Sequence, residues 1–382
     1  MPTLPTTDAA PSGSGAPDAT AEASFREAMD AFRLRVDGAL ARWIDTRRAE
    51  AEAEAPQSAE LAAEIGRLVA VGGKRLRPAL VDAAYRACGG RSEEAGLALA
   101  MATELLHTYL LIHDDIMDHA PVRRGEPTAH VVFAGRHRDN GWPGSAEDYG
   151  RSVAILLGDL AHTWAVELSR AGRAAEGDPE AVAACFDAMS SEVIGGQFIE
   201  MSLPFRLGTS EPLPSEDELL RALRLKSGRY SVERPLELGA LLAGAPAQTV
   251  ERLKRYGEAV GDAFQLQDDF LGTFGEEAAV GKPVASDLEE GKYTFLVHHT
   301  LAGAAPDERR WLQDALVRGG LGAEEIERAR RIIRTSGGLD AVLAMIDSRL
   351  ARGREALAGL PFSAEHRAFF LGLIDYLAGR DR

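Results

Sequence analysis

This chain has no surplus of basic residues, few cysteines, few aromatics and no long uninterrupted apolar run. Lys and Arg number 43 against 59 Asp and Glu, a net charge of −16. Phosphate backbones attract basic surfaces, so this balance disfavours nucleic acid as a partner, and none is expected. It leaves room for a small anion, because acidic clusters recruit a divalent metal and the metal carries the anion. The two cysteines, Cys88 and Cys185, are far apart and lack metal-site spacing; they read as buried free thiols in a reducing compartment. The most apolar stretch, Leu97 to His113, contains Glu104 and His107 and is too short to span a bilayer. Residues 1–24 have neither a positively charged start nor an apolar centre, so they read as a disordered tail and not a signal peptide. No linker divides residues 25–382, which are expected to form one soluble, cytoplasmic domain.

What is present is Ala, Leu and helical periodicity. Helices are expected over Ser92–Asp118, Ser152–Arg170, Pro179–Glu200, Glu216–Ala243, Ala247–Phe274 and Leu288–Leu301, followed by charged amphipathic segments to the end. Period-two alternation is nearly absent, which leaves little to build a sheet from. Ala134–Arg151 reads as an irregular loop and Gly208–Ser215 as a Pro/Ser hinge. The fold class is all-α, a single large helical bundle.

The run "LLHTYLLIHDDIMDHAPVRRGEPTAH" (Leu105–His130) carries the first chemistry. On a helix, His107, Leu111, Asp114 and Asp118 share a face, and Asp115 reaches the same space from the side. Like charges at this spacing destabilise a helix by about 0.2–0.5 kcal/mol per pair, and anions are unfavourable at a helix C-terminus. A cation reverses both terms, and oxygen-only ligands point to Mg²⁺. A second cluster, "GDAFQLQDDFLGTFG", places Gln265, Asp268, Asp269 and Gly272 on one face. Either cluster alone is more often a solvated acidic face. Two acidic pairs on separate helices suit a metal that shares its coordination with a diphosphate.

Basic residues flank both clusters. "GGKRLRP" holds Lys74, Arg75 and Arg77 in a turn opened by glycines, and Arg123 and Arg124 follow the first aspartates. Lys226, Lys282 and Lys292 stand in "LKSGRY", "VGKPV" and "EGKYT". Arginine offers a bidentate fork to phosphate oxygens. Each of these charges taken singly is explained by surface ion pairing, and Arg75 reads as such a structural case.

The order "GGKRLRP … HDDIMD … RRG … KSG … FQLQDD … GKP … EGK" resembles the trans-isoprenyl diphosphate synthases, the polyprenyl synthetase family, over about Val71 to Leu296. The resemblance implies an all-helical bundle around a deep apolar cavity, usually homodimeric, with three Mg²⁺ ions. It implies that Asp114 and Asp118, supported by Asp115, hold Mg²⁺ on an allylic diphosphate, while Asp268 holds the third ion with Asp269 beside it. Arg123, Lys226 and Lys282 are then expected to grip the allylic diphosphate, and Lys74, Arg77, His107 and Arg124 to bind isopentenyl diphosphate. Gln265 and the backbone at Lys226 and Ser227 are expected to face the developing allylic cation. The implied reaction is ionisation, condensation and elimination.

Three features depart from the family pattern. Gly272 stands where an aspartate is common, so water is expected to take that place; Ser227 replaces a threonine; and 134–151 is longer than usual. The first motif has no insertion, and Tyr109 and Leu110 lie just below it, where the family has its cavity floor. An aromatic there implies a short product, geranylgeranyl or, alternatively, farnesyl diphosphate. A class I terpene cyclase needs no second diphosphate site, which Lys74, Arg77 and Arg124 argue against. A non-catalytic isoprenoid-binding subunit is expected to have lost elements that are nearly all present.

Overall fold

The computed structural model describes residues 19–171, 177–275 and 286–379. In chain order the first half contains α1 (Ala19–Glu54), α2 (Ala59–Ala70), α3 (Leu76–Ala87), α4 (Glu93–Met117), a hairpin of β1 (Val122–Arg123) and β2 (Glu126–Pro127), α5 (Ala129–Asp139) and α6 (Ala146–Ala171). The second half contains α7 (Pro179–Ser202), α8 (Glu216–Leu223), a π-helical segment Arg224–Glu233, α9 (Arg234–Leu242), α10 (Ala247–Phe274), α11 (Ser286–Glu289), α12 (Phe295–Gly303), α13 (Pro306–Arg318), α14 (Ala323–Thr335), α15 (Gly338–Ala358) and α16 (Ala364–Gly379). The all-α expectation holds, and the hairpin is the sole sheet among the described residues.

Local sequence explains where these helices begin. Ser92 caps α4 by accepting from the Ala95 N–H, with Glu93 and Glu94 in the first turn, where the macrodipole favours acids. Asp178 caps α7 ahead of Pro179, and Ser215 with Glu218 forms a capping box on α8. In the hairpin, Arg124 (φ 55°) and Gly125 (φ 79°) make the two-residue left-handed turn that matches strand twist.

Packing then sets the cavity. α6 lies along α4, α3 against α9, α10 along α15, and the π segment between α7 and α10. One apolar core gathers Leu99, Leu105, Leu106, Leu157 and Phe186; another gathers Tyr256, Phe295 and Phe370. α4 is long and apolar enough to cross a membrane, contrary to the short span read from Leu97–His113, but 72% of that window is buried inside the protein. Its apolar character belongs to the bundle core.

Other expectations are corrected. Residues 134–151 are mostly helical, shared between α5 and α6, with only a turn between them. The rings of His137, Trp142 and Tyr149 pack at centroid distances of 5.3–5.8 Å and close that turn, which "NGWPGS" had disguised as a longer loop. α1 starts at Ala19, inside the range expected as tail, because Phe25 is buried (3% exposed) against Phe369 and Tyr376 of α16. The helix expected over Leu288–Leu301 is interrupted at Gly291 (φ 68°), a left-handed position. The single helix expected over Glu216–Ala243 contains the π segment, whose widened backbone carries Lys226 and Ser227.

The π segment is held by glycines on both sides. A Cβ on Gly196 of α7 would stand 2.2 Å from the Lys226 nitrogen, and one on Gly261 of α10 would stand 2.5 Å from the Gly228 oxygen. Only glycine permits these approaches. "GGQFIE" is therefore a close crossing at Gly196, while Gly195 faces nothing within 4 Å.

Candidate active site

A cleft of about 930 Å³ opens between α4, α7, the π segment, α10 and the turn before α3. Its wall brings together Lys74, Arg77, His107, Asp114, Arg124, Lys226, Ser227, Gln265, Asp268 and Asp269, residues up to 195 positions apart in the chain. Its apolar part includes Tyr109, Leu110, Leu111, Val193, Phe264 and Leu271.

On the acidic side, Asp114 accepts from Arg123 Nη2 at 3.3 Å and from Gln197 Nε2 at 3.4 Å. Asp115 is buried and turned towards the hairpin, where Arg123 Nε donates to it at 2.5 Å. Both line a small pocket behind the cleft wall rather than the cleft. Asp115, expected beside the metal, and Arg123, expected on the allylic diphosphate, are joined by this bond, and Arg123 also reaches Asp114, which lines the cleft. Asp118 caps α4 and acts on Lys292 through its charge.

Across the cleft, Gln265 Nε2 donates to Asp269 Oδ1 at 2.7 Å, which fixes the glutamine amide. Burial and the nearby Asp287, Glu200 and Asp268 push the Asp269 carboxyl well above the usual carboxylate range. At Gly272 a Cβ would lie 2.3 Å from Asp287 Oδ2. The Asp287 carboxylate of α11 therefore lies beside Gly272, at the place where water was expected.

Among the described residues no three carboxylate, histidine or cysteine side chains converge closely enough to cage an ion unaided. Oxygen donors on both walls and an acid destabilised by its neighbours fit a hard cation that takes further oxygens from water and substrate. Asp114 lines the cleft from α4 and Asp268 and Asp269 line it from α10, while Asp118 sits at the end of α4 outside the cleft lining.

The basic residues lie on two sides. Lys226 pairs with Glu200 of α7. Burial alone would lower its ammonium pKa, but Glu200 and Asp114 outweigh that and hold it above the ordinary lysine value. Lys292 pairs with Asp287 at 3.3 Å and Glu290 at 2.7 Å. On the other side, Arg77 Nη2 donates to Ser231 Oγ at 2.7 Å and its guanidinium stacks 4.2 Å from the Tyr230 ring centroid. His107 Nδ1 lies 3.1 Å from the Tyr230 hydroxyl. Burial, then Arg77 and Arg124, depress the His107 pKa, so the ring is neutral at pH 7. Lys74 sits 5.8 Å over the Tyr376 ring, and Arg124 donates to the Gly72 carbonyl. Lys282 lies outside the described residues.

At the apolar end, Tyr109 is wedged between His113 and His162, with ring centroids 4.9 and 5.0 Å away. Leu110 lines the same wall. Sequence reasoning did not single out Glu200, Tyr230 or Asp287. Glu200 follows the Gly196 crossing by four residues, one helical turn, and that was the available signal. Tyr230 and Asp287 act through contacts that no spacing in the chain announces.

The sequence profile of the polyprenyl synthetase family matches residues 58–333. The chain belongs to the polyprenyl synthetase family. It is 34% identical to a geranylgeranyl diphosphate synthase of Methanosarcina mazei, across 82% of this chain and 88% of the relative. It is 32% identical to a farnesyl diphosphate synthase of Geobacillus stearothermophilus, across 74% and 87%. The crystal structure of a geranylgeranyl pyrophosphate synthase from Corynebacterium glutamicum, complexed with isoprenyl diphosphate and magnesium, superposes with a TM-score of 0.86 at 30% identity, covering 92% of this chain and 99% of that one. Family members are trans-prenyltransferases, and this chain is a chain-elongating prenyltransferase of the same kind.

Proposed function

We propose that this prenyltransferase condenses isopentenyl diphosphate with an allylic diphosphate to make geranylgeranyl diphosphate. One observation carries the reading: a single cleft has acidic residues on two helices, basic residues on separate sides and an apolar end. That arrangement suits two diphosphates held apart and one hydrocarbon tail.

Lys226 and Lys292 stand on the side of Asp114 and Asp268 and bind the allylic diphosphate, with Lys282 as a further candidate. Lys74, Arg77, Arg124 and neutral His107 anchor isopentenyl diphosphate, whose fixed double bond then attacks at short range. Mg²⁺, three ions by family expectation and held by Asp114, Asp118 and Asp268, neutralises the departing diphosphate when bound. Ser227, Gln265 and the carbonyls of the π segment face the allylic carbon and stabilise positive charge as it develops. The apolar end excludes water that would otherwise capture the cation. The proton released after condensation passes to the departing diphosphate.

Tyr109, braced by two imidazoles, supports a closed floor and hence a short product. Farnesyl diphosphate is the second reading, favoured by the same braced ring. Ile155 and Leu156 on α6 expose 47% and 59% of their surface. That apolar area supports a homodimer. The test is incubation of the purified protein with isopentenyl diphosphate, Mg²⁺ and each allylic primer in turn, followed by product sizing. Geranylgeranyl diphosphate from farnesyl diphosphate is the expected outcome. A main product longer than geranylgeranyl diphosphate, or none from any primer, would overturn the proposal.

A further inference from the structure

Among the described residues only three that are not glycine have positive φ: Arg75 (51°), His119 (52°) and Arg124 (55°). Left-handed backbone is unfavourable for a residue with a Cβ, and it persists where the surroundings over-determine it. At Arg75 the surroundings are plain. The residue is 4% exposed, and all three of its side-chain nitrogens are taken by protein groups. Nε donates to Asp37 of α1 at 2.7 Å, Nη1 to Glu104 of α4 at 2.5 Å, and Nη2 to the Val69 carbonyl at the end of α2, also at 2.5 Å. Glycine would adopt the same backbone without strain but would make none of these bonds.

Arg75 is flanked by two of the anchors assigned above to isopentenyl diphosphate. Lys74 precedes it, and Arg77 follows in the first turn of α3, reaching Ser231 and Tyr230. Arg124 meets the same turn from the hairpin: it donates to the Gly72 carbonyl, and its guanidinium would be 2.9 Å from a Cβ on Gly73. Glu104, 3% exposed, lies three residues before His107 on α4. The Arg75–Glu104 pair therefore ties the 72–77 turn to the helix carrying the fourth anchor. Replacing a buried ion pair by apolar groups of similar size is often neutral for stability, so its presence argues for a part in placing groups.

We propose that Arg75 is a positioning residue for isopentenyl diphosphate: held left-handed by Asp37, Glu104 and the end of α2, it sets where Lys74, Arg77, Arg124 and His107 converge. This rests on the assignment of those four residues to that substrate.

The test uses the full chain with Mg²⁺, varying isopentenyl diphosphate at saturating geranyl diphosphate and the reverse, with thermal melting alongside. The double variant Arg75→Met with Glu104→Leu removes both charges and leaves no lone buried carboxylate. Its KM for isopentenyl diphosphate is expected to rise about tenfold or more, as misplaced anchors require, with kcat and the allylic KM nearly unchanged. Calorimetric binding of isopentenyl diphosphate is expected to weaken in step. If the double variant does not fold, Arg75→Lys keeps the charge but loses the planar fork to Val69, and a smaller shift in the same KM is expected. A folded variant with an unchanged KM for isopentenyl diphosphate, or with both KM values raised equally, overturns the proposal. Lys74→Ala and Arg77→Ala separate the two levels. If they leave that KM unchanged, the substrate assignment falls and this inference with it; if they raise it while the Arg75 variants do not, only the inference falls.

Discussion

Replacing Gly196 by alanine isolates what the π segment contributes. The added Cβ would stand 2.2 Å from the Lys226 nitrogen, 2.6 Å from the Leu225 carbonyl carbon and 2.7 Å from the Lys226 Cα. Ordinary contact begins near 3.4 Å, so α7 and the π segment must part by about an ångström. The opposing atoms are backbone within a hydrogen-bonded helix and cannot rotate aside as a side chain would. Overpacking of this kind costs about 1–3 kcal/mol. Alanine recovers about 1 kcal/mol of that through its higher helix propensity. The net loss of stability is therefore modest, at most about 2 kcal/mol. Activity is expected to suffer more, because Lys226 moves with its backbone. A displacement near 1 Å costs up to about a hundredfold in rate. The assay is kcat/KM for the allylic diphosphate at saturating isopentenyl diphosphate, with thermal melting on the same sample. Gly195→Ala is the matched control: nothing lies within 4 Å of its Cβ, so wild-type activity and slightly higher stability are expected. If Gly196→Ala keeps both the wild-type rate and the wild-type melting temperature, the close crossing does not hold Lys226 in place.

Other expectations are more direct. Lys226→Ala and Asp114→Ala should each lower kcat by about 10²–10³, the scale of losing one charge stabiliser in a reacting site. Lys226→Ala should scarcely shift the melting temperature, because its pair with Glu200 is partly exposed (side chains 24% and 29%) and such pairs contribute less than about 1 kcal/mol; normal turnover by either variant would refute the assignment. Tyr109→Ala should lengthen the product, read by chromatographic sizing, and an unchanged product would remove Tyr109 from the floor. His107 binds protons more weakly folded than unfolded, so its share of stability is present above about pH 6.5 and is lost as pH falls towards its lower folded pKa. His107→Asn should therefore flatten the fall in denaturant stability between about pH 7 and about pH 5, and identical slopes would contradict a buried neutral ring.

Much of this protein could be read from the order of its residues. Helical periodicity and the scarcity of strand patterns gave the all-α class, and α10 begins and ends at the residues read from the sequence, between Pro246 and Gly275. Both acidic clusters and the basic turn before α3 were legible because each is local: its residues share one helix face or one turn. Family spacing linked them into a single site. The hairpin, the α5–α6 turn and the break at Gly291 were harder, because glycine and proline mark punctuation without saying how much chain lies in it.

The tertiary structure decided which charges face the cleft and which face each other. Arg123 bridges Asp115 and the cleft-lining Asp114, and the side-chain nitrogens of Arg75 are all bound to protein groups. Asp287 reaches the space over Gly272 from another element. A sequence specifies the kind and spacing of charges along one helix or turn, because that geometry repeats every few residues. Whether a charge meets substrate or a partner side chain depends on distances between segments remote in the chain, and only packing sets those.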